Sequence, residues 1–157
     1  MSLLASTFKS PIGSLNLLAD DQILIGANLS TIAAFKAGAD VKVVKSIPVI
    51  SDLISDYFDG DLTALNGIHV RQPGAAFSQA AWKAMRKVPP GKALSYADLA
   101  TKAGSPAAVR AAGSACAINA IMLVVPCHRI VKTGGALGNY AYGVDKKQWL
   151  LSHEGFL

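Results

Sequence analysis

The hydrophobic pattern of this chain turns strongly helical beyond Pro73-Gly74, and that shift limits the architecture more than any other feature. Ahead of it, short apolar runs are punctuated by turn residues. Ser10-Pro11-Ile12-Gly13 marks one turn and Asp20-Asp21 another. Between them Leu15, Leu17 and Ala19 alternate with Ser14, Asn16 and Leu18, and Ile23–Ala27 reads as a buried strand. Residues 3–29 are therefore predicted to be a meander of strands. Residues 30–46 are ambiguous, with a short helix expected near Ile32–Ala37. Val49, Ile50, Leu53, Ile54, Tyr57 and Phe58 then recur at helical spacing, and Gly60 ends that helix. Residues 61–76 read as a linker with one extended piece, Gly67–Arg71.

From Phe77 onward the spacing is helical. Ala81, Trp82, Met85 and Val88 share one face, with Lys83, Arg86 and Lys87 pointing away, and Pro89-Pro90-Gly91 stops the helix. Ser95 is placed to N-cap the next helix, with Asp98 at the third position, and Gly104 to end it. Ser105-Pro106 then predicts an immediate restart, with Ser as N-cap and Pro at the first helical position. Two helices joined so tightly are expected to form a helix-turn-helix. Strands first and helices afterwards give an α+β chain of two lobes, residues 1–74 and residues 75–157.

A length of 157 residues suits one domain, or two small ones sharing a core. With 52% hydrophobic and 16% charged residues, the composition excludes disorder. The apolar run Ala120–Val125 is far too short to span a membrane, and Met1–Ser10 lacks the pattern of a secretory signal. A soluble, cytoplasmic protein is expected, with no membrane partner. The histidines and cysteines form no Cys-x-x-Cys or His-x-x-x-His pair, so no metal is expected. Two free thiols fit a reducing compartment. Charge is divided unevenly: residues 1–74 carry five bases and seven acids, a net −2, whereas residues 75–157 carry ten bases and three acids, a net +7. Only the second lobe is suited to meet a polyanion.

Within that lobe, the second helix of the pair is made almost wholly of small residues, among them Ala107, Ala108, Ala111, Ala112, Gly113, Ser114 and Ala115. Arg110 is its one long charged side chain. Such a helix can approach another surface closely, either a DNA groove with Arg110 projecting into the duplex or a neighbouring helix in a core. Cys116, on the same helix, reads as a packing residue. Further on, Val124-Val125-Pro126-Cys127-His128-Arg129 places a thiol beside an imidazole at the end of an apolar strand. The chemistry of a cysteine nucleophile needs thiolate, which a nearby imidazole or cation favours. Adjacent strand residues point to opposite sides, so Cys127 and His128 would communicate only across a kink, which Pro126 permits, or through a water.

Pro126-Cys127-His128-Arg129-Ile130 resembles the active-site signature of the O6-alkylguanine-DNA alkyltransferases, the methylated-DNA–protein-cysteine methyltransferases. The likeness runs through residues 77–157. It takes in Phe77 and Trp82, Pro90-Gly91-Lys92, Ser95-Tyr96, Arg110-Ala111 and Gly113, and Asn119 eight residues before the cysteine. It continues through Gly134-Gly135, Gly138-Asn139-Tyr140, Gly143, Trp149-Leu150-Leu151 and His153-Glu154-Gly155. The first lobe is similar only through Ser10-Pro11-Ile12-Gly13 and Tyr57-Phe58-Asp59-Gly60. The chain departs from the family in having Ala120 where proline is common after the asparagine, and Tyr142 where some members have glycine.

The resemblance implies a small ribonuclease-H-like first lobe and a winged-helix-type second lobe. It also implies stoichiometric, irreversible transfer of an alkyl group from O6-alkylguanine, and from O4-alkylthymine, in duplex DNA to Cys127. His128 would act as base through a water, oriented by Glu154. Asn119 would brace the helix pair against the active-site strand. Tyr96 would help rotate the nucleotide out and would protonate the departing guanine. Arg110 would fill the gap in the base stack. DNA contacts are expected from Arg110, Tyr96, Ala107, Ala108, Ala111 and Gly113. The guanine pocket is expected from the backbone around Ile130 and from Asn139, Tyr140, Ala141 and Tyr142, with Tyr142 narrowing it. No cofactor and no obligate protein partner are implied, and the chain is expected to act as a monomer. Two rivals remain: a damage sensor that binds lesions without transfer, and a Cys-His hydrolase with turnover.

Overall fold

The computed structural model describes residues 3–38 and 40–157. Its residues fall into two compact units. The first comprises the chain up to Gln72 together with Ala120–Val124, and the second comprises Pro73–Asn119 and Val125–Leu157. The first crossing falls between Gln72 and Pro73. The short return at Ala120–Val124 has no counterpart in the sequence pattern. It arises because the N–H of Ala27 donates to the carbonyl of Ala120 (2.9 Å) and the N–H of Met122 to that of Ala27 (3.3 Å).

In the first unit, β1 (Leu3–Ser10), β2 (Gly13–Asp20) and β3 (Ile23–Asn28) form the antiparallel meander. Two short strands, β4 (Val41–Val43) and β5 (His69–Val70), flank it in parallel, giving the order β4-β1-β2-β3-β5. Among the described residues, the ambiguous stretch holds one 3-10 turn, Ala33–Phe35, before β4. Leu15 through Asp20 of β2 are all buried, so the alternation read along it does not divide a wet face from a dry one. Its polar side chain is satisfied in place: Asn16 Nδ2 donates to Asn28 Oδ1 (3.0 Å), and Thr7 Oγ1 donates to Asn16 Oδ1 (2.7 Å). Helix α1 (Ile50–Phe58) buries Ile50, Ile54 and Tyr57, and Phe58 stacks on Phe8 of β1 at 5.9 Å.

The second unit is helical, with α2 (Ala76–Arg86), α3 (Tyr96–Lys102), α4 (Val109–Ala117) and α5 (Val144–His153). A two-stranded parallel ribbon pairs β6 (Leu94–Ser95) with β7 (Ile130–Val131). Trp82 anchors α2: its indole Nε1–H donates to the carbonyl of Ala115 on α4 (2.9 Å), and its ring lies directly over Gly74, where a Cβ would come within 2.6 Å of it. Only glycine fits that approach.

Helix α3 has the ends the sequence predicts. Ser95 Oγ accepts the Asp98 N–H (3.0 Å), and Gly104 takes φ +97° while the Ser105 N–H closes back on the Ala100 carbonyl. The next helix starts later than Ser105-Pro106 suggests. Those residues open a turn, closed by the Ala108 N–H on the Ser105 carbonyl (2.9 Å), and α4 begins at Val109. The turn uses the backbone carbonyl of Ser105 where an N-cap would have used its hydroxyl. Ala107 and Ala108 consequently lie ahead of the helix rather than on it.

Helix α4 is also two-faced. Ala112 and Ala115 are fully buried, whereas Val109, Arg110, Ala111, Ser114 and Ala117 are exposed. Close packing within the core and a small-residue outer face therefore coexist on one helix. Replacing the N-cap in Ser95→Ala should lower stability by about 1 kcal/mol, with Ser95→Asp retaining most of it. Urea unfolding of the three proteins measures this.

Candidate active site

The reactive stretch is a turn, not the strand end expected from its apolar residues. Leu123 adopts φ +73°, the Val124 N–H reaches the Met122 carbonyl (2.9 Å), and Cys127–Arg129 form a 3-10 turn with the Arg129 N–H on the Pro126 carbonyl (3.0 Å). Pro126 has no N–H to offer a ladder, so the segment cannot pair as an inner strand. A turn in place of a strand also removes the opposed geometry of Cys127 and His128.

The Cys127 thiol lies in the wall of a cleft of about 560 Å3. Tyr96, Arg110 and Gly113 form one part of that wall, and Asn139, Tyr140 and Ala141 another. Asn119, just past the end of α4, donates from Nδ2 to the Val125 carbonyl (2.9 Å) and to Cys127 Sγ (3.5 Å). One amide thus ties the helix end to the reactive turn and offers a proton to the sulfur. Burial pushes the Cys127 thiol up from its ordinary value, while the Asn119 hydrogen bond and then the Lys147 charge pull it back.

Behind the thiol lies a buried ionic cluster. Glu154 accepts from Arg129 through two bonds, Nε to Oε1 (2.8 Å) and Nη2 to Oε2 (3.0 Å). Its Oε2 also meets His128 Nε2 at 2.8 Å. Arg129 Nη1 donates onward to the Val88 carbonyl (2.7 Å). Burial is the largest influence on His128 and holds it below its ordinary value, which keeps the ring neutral at pH 7. With Nε2 donating to the carboxylate, Nδ1 carries the lone pair, and this fully buried atom has no hydrogen-bond partner among the described residues. Glu154 stays well below the usual carboxylate range: its burial is outweighed by the bonds from His128 and Arg129.

Lys147, on α5, is fully buried. Its Nζ donates to the carbonyls of Ile130 (2.6 Å) and Asn139 (3.3 Å) and lies 5.9 Å from the centre of the Tyr96 ring. Among the described residues no carboxylate pairs with it, and burial lowers its pKa. The Tyr96 phenol is pushed up to about 12, chiefly by burial, and so keeps its proton at neutral pH. The loop opposite approaches that hydroxyl closely: a Cβ on Gly138, where φ is +77°, would come within 3.3 Å of it.

Residues 76–156 match the family described as 6-O-methylguanine DNA methyltransferase, DNA binding domain. A methylated-DNA–protein-cysteine methyltransferase of Shigella flexneri is 33% identical over 100% of this chain and 98% of its own length. The chain belongs to this family. A Salmonella typhimurium protein of the same name is 43% identical over 69% of this chain, and the match spans 63% of that protein. Among solved structures, the OGT protein of Mycobacterium tuberculosis in complex with DNA superimposes with a TM-score of 0.87 at 31% identity, over 97% of this chain and 92% of that one.

Of the residues singled out in the sequence, Cys127, Tyr96, Arg110, Gly113, Asn139, Tyr140 and Ala141 share one cleft. His128 and Glu154 lie buried behind it, and Asn119 touches the thiol. Ala107, Ala108 and Ala111 are outside the cleft wall, Ile130 is fully buried and takes part through its carbonyl, and Tyr142 is set back, its ring edge-on to Tyr140 at 5.8 Å. Three residues escape sequence reading. Arg129 stands without a role inside its own motif. Cys116, which reads as a packing residue, is a second thiol in the cleft wall. Lys147 resembles half of a solvated Lys-Lys pair, yet Lys147, Leu150, Leu151 and Glu154 follow the i, i+3, i+4, i+7 spacing of one buried face. That spacing is the signal that could have found it.

Glu154→Gln should destabilise the protein by roughly 3 kcal/mol at pH 7, because it leaves Arg129 buried without its counter-charge. A depressed carboxylate contributes its stability above its ordinary pKa of 4.5 and loses it as pH falls through the lower folded value. The gap between wild type and variant in denaturant titrations should therefore be constant from pH 7 to about 5 and close only in stronger acid.

Proposed function

We propose that this chain repairs DNA by taking an alkyl group from O6-alkylguanine, and from O4-alkylthymine, onto Cys127, once and irreversibly. The observation that carries this reading is a thiol in the wall of a cleft, held by an amide donor and backed by a cation and a histidine–carboxylate pair. The chemistry follows from those groups. His128 Nδ1, the free base position of the neutral ring, takes the Cys127 proton through a bridging water, with Glu154 fixing the ring. The thiolate attacks the alkyl carbon, a C–S bond forms and the C–O bond breaks. The departing guanine takes its proton from Tyr96, and Lys147 lies close enough to that ring to stabilise the phenolate. A thioether has no carbonyl for water to attack, so the protein is consumed.

Reaching an alkyl group inside a duplex requires extruding the base, at a cost of a few kcal/mol. We assign α3 and α4 to a helix-turn-helix within a winged-helix-type lobe, with the exposed small face of α4 toward a groove. Arg110, exposed at its start, would take the place of the extruded base. Ala107, Ala108, Ala111 and Gly113 would allow the close approach. Asn139, Tyr140 and Ala141 would line the guanine pocket, and Tyr142, edge-on to Tyr140, would narrow it. The first lobe is ribonuclease-H-like in this reading, and the protein works in the cytoplasm as a monomer.

Intact-mass measurement after exposure to a duplex containing O6-methylguanine tests the proposal. The wild type should gain one methyl group permanently. Cys127→Ser should gain none while still binding DNA. No gain by the wild type would support a damage sensor, and turnover without a retained adduct would support a hydrolase. Lys147→Met should slow transfer and move its pH–rate profile to higher pH, because the cation that favours thiolate has gone. An unshifted profile with normal folding would remove Lys147 from the chemistry.

A further inference from the structure

A second cleft of about 520 Å3 lies in the helical unit and shares no residue with the first. Its rim carries four exposed lysines: Lys83 and Lys87 from the end of α2, Lys92 from the turn that follows, and Lys102 from the end of α3. No carboxylate lines it, and among the described residues none of the four lysines is in an ion pair. The rest of its wall is apolar and includes the buried Ala84 and Val88 together with Ala93 and Leu94. Lysines in a last helical turn favour the helix dipole, which accounts for Lys83 and Lys102 one at a time. That effect does not account for Lys92, nor for like charges gathered around an apolar recess, where they repel.

We propose that this cleft docks an acidic peptide segment of a partner protein, one that carries large apolar side chains among its carboxylates. The lysines supply the complement to the carboxylates and speed encounter, and the recess takes the apolar group. A DNA backbone would satisfy the charges but would offer the apolar wall nothing to bury. The position of the cleft also bears on the active site. The carbonyl of Val88 in its wall accepts from Arg129, and a Cβ at Gly91, in the turn leading to Lys92, would lie 3.1 Å from the carbonyl of Glu154. A docked segment would thus press on the turn that holds the buried ionic cluster. This inference does not depend on what Cys127 accepts.

The test uses the full chain and a fluorescent peptide with a run of aspartates followed by leucine and phenylalanine, read by anisotropy. Binding should weaken with added salt and by at least about tenfold in Lys83→Glu/Lys87→Glu, with a comparable loss in the separate variant Lys92→Glu/Lys102→Glu. Replacing the leucine and phenylalanine of the peptide by serine should cost a similar factor. All four lysines are exposed, so both variants should stay folded, with melting temperatures lowered by no more than a few degrees through the reversed charge at the helix ends. Equal affinity for the two peptides would overturn the proposal, as would binding indifferent to the lysines. Displacement of the peptide by undamaged duplex, with parallel loss of DNA affinity in the variants, would make the cleft a DNA surface instead. Self-association abolished by the same substitutions, without peptide binding, would assign it to a second copy of the chain.

Discussion

The carboxylate of Glu154 is the interaction on which the helical unit depends. It sits at the end of α5, buried, and accepts from both Arg129 and His128 of the reactive turn. Arg129 carries the connection to Val88, just beyond α2. Three segments distant in sequence are thus linked through one acid and the guanidinium paired with it. Burying these charges is costly on its own, and the cost is offset only because both carboxylate oxygens are engaged and the guanidinium fork is matched in two places. The same bonds set the chemistry, since a histidine that donates to Glu154 through Nε2 must present an unprotonated Nδ1.

The thiol is held between opposing influences. Burial favours the neutral form. Asn119 and Lys147 favour the anion. Neither is an acid–base partner: one is an amide that also ties the end of α4 to Val125, and the other is a lysine held by two backbone carbonyls. Positioning and electrostatics therefore come from the same side chains. Small residues on α4 let the helix seat closely in the core, with Ala112 and Ala115 fully buried.

Where a local signal acts without a competitor, sequence and fold agree. The three-stranded meander, α1, α2 and the capped α3 follow from turn residues, helical spacing and a serine three residues ahead of Asp98, all of them local. Differences arise where two local signals compete. Ser105-Pro106 has the chemistry of a helix start and equally of a turn, and the turn prevails because the Ser105 carbonyl closes on Ala108. Val124-Val125 has the composition of a strand, but Pro126 and the left-handed Leu123 prevent the extended pairing that composition alone invites. Alternation along β2 misleads because Leu15 through Asp20 are buried on both faces of the strand.

By itself the sequence determined a strand-rich first part followed by a strongly helical second, hence an α+β chain, and the ordered motif around Cys127, hence the family. It also determined where the positive charge lies. Only the tertiary structure decided that Lys147 is buried beside Tyr96, that Arg129 and His128 share one carboxylate, that Cys116 enters the acceptor cleft, and that four lysines from α2, α3 and a turn surround a second one. The physical reason is the reach of each effect. Turn chemistry and helical spacing act over a few residues, so they can be read along the chain. Burial, pairing and the poise of a titratable group depend on which distant segments meet, and the contact between Arg129 and Glu154 spans 25 residues of chain.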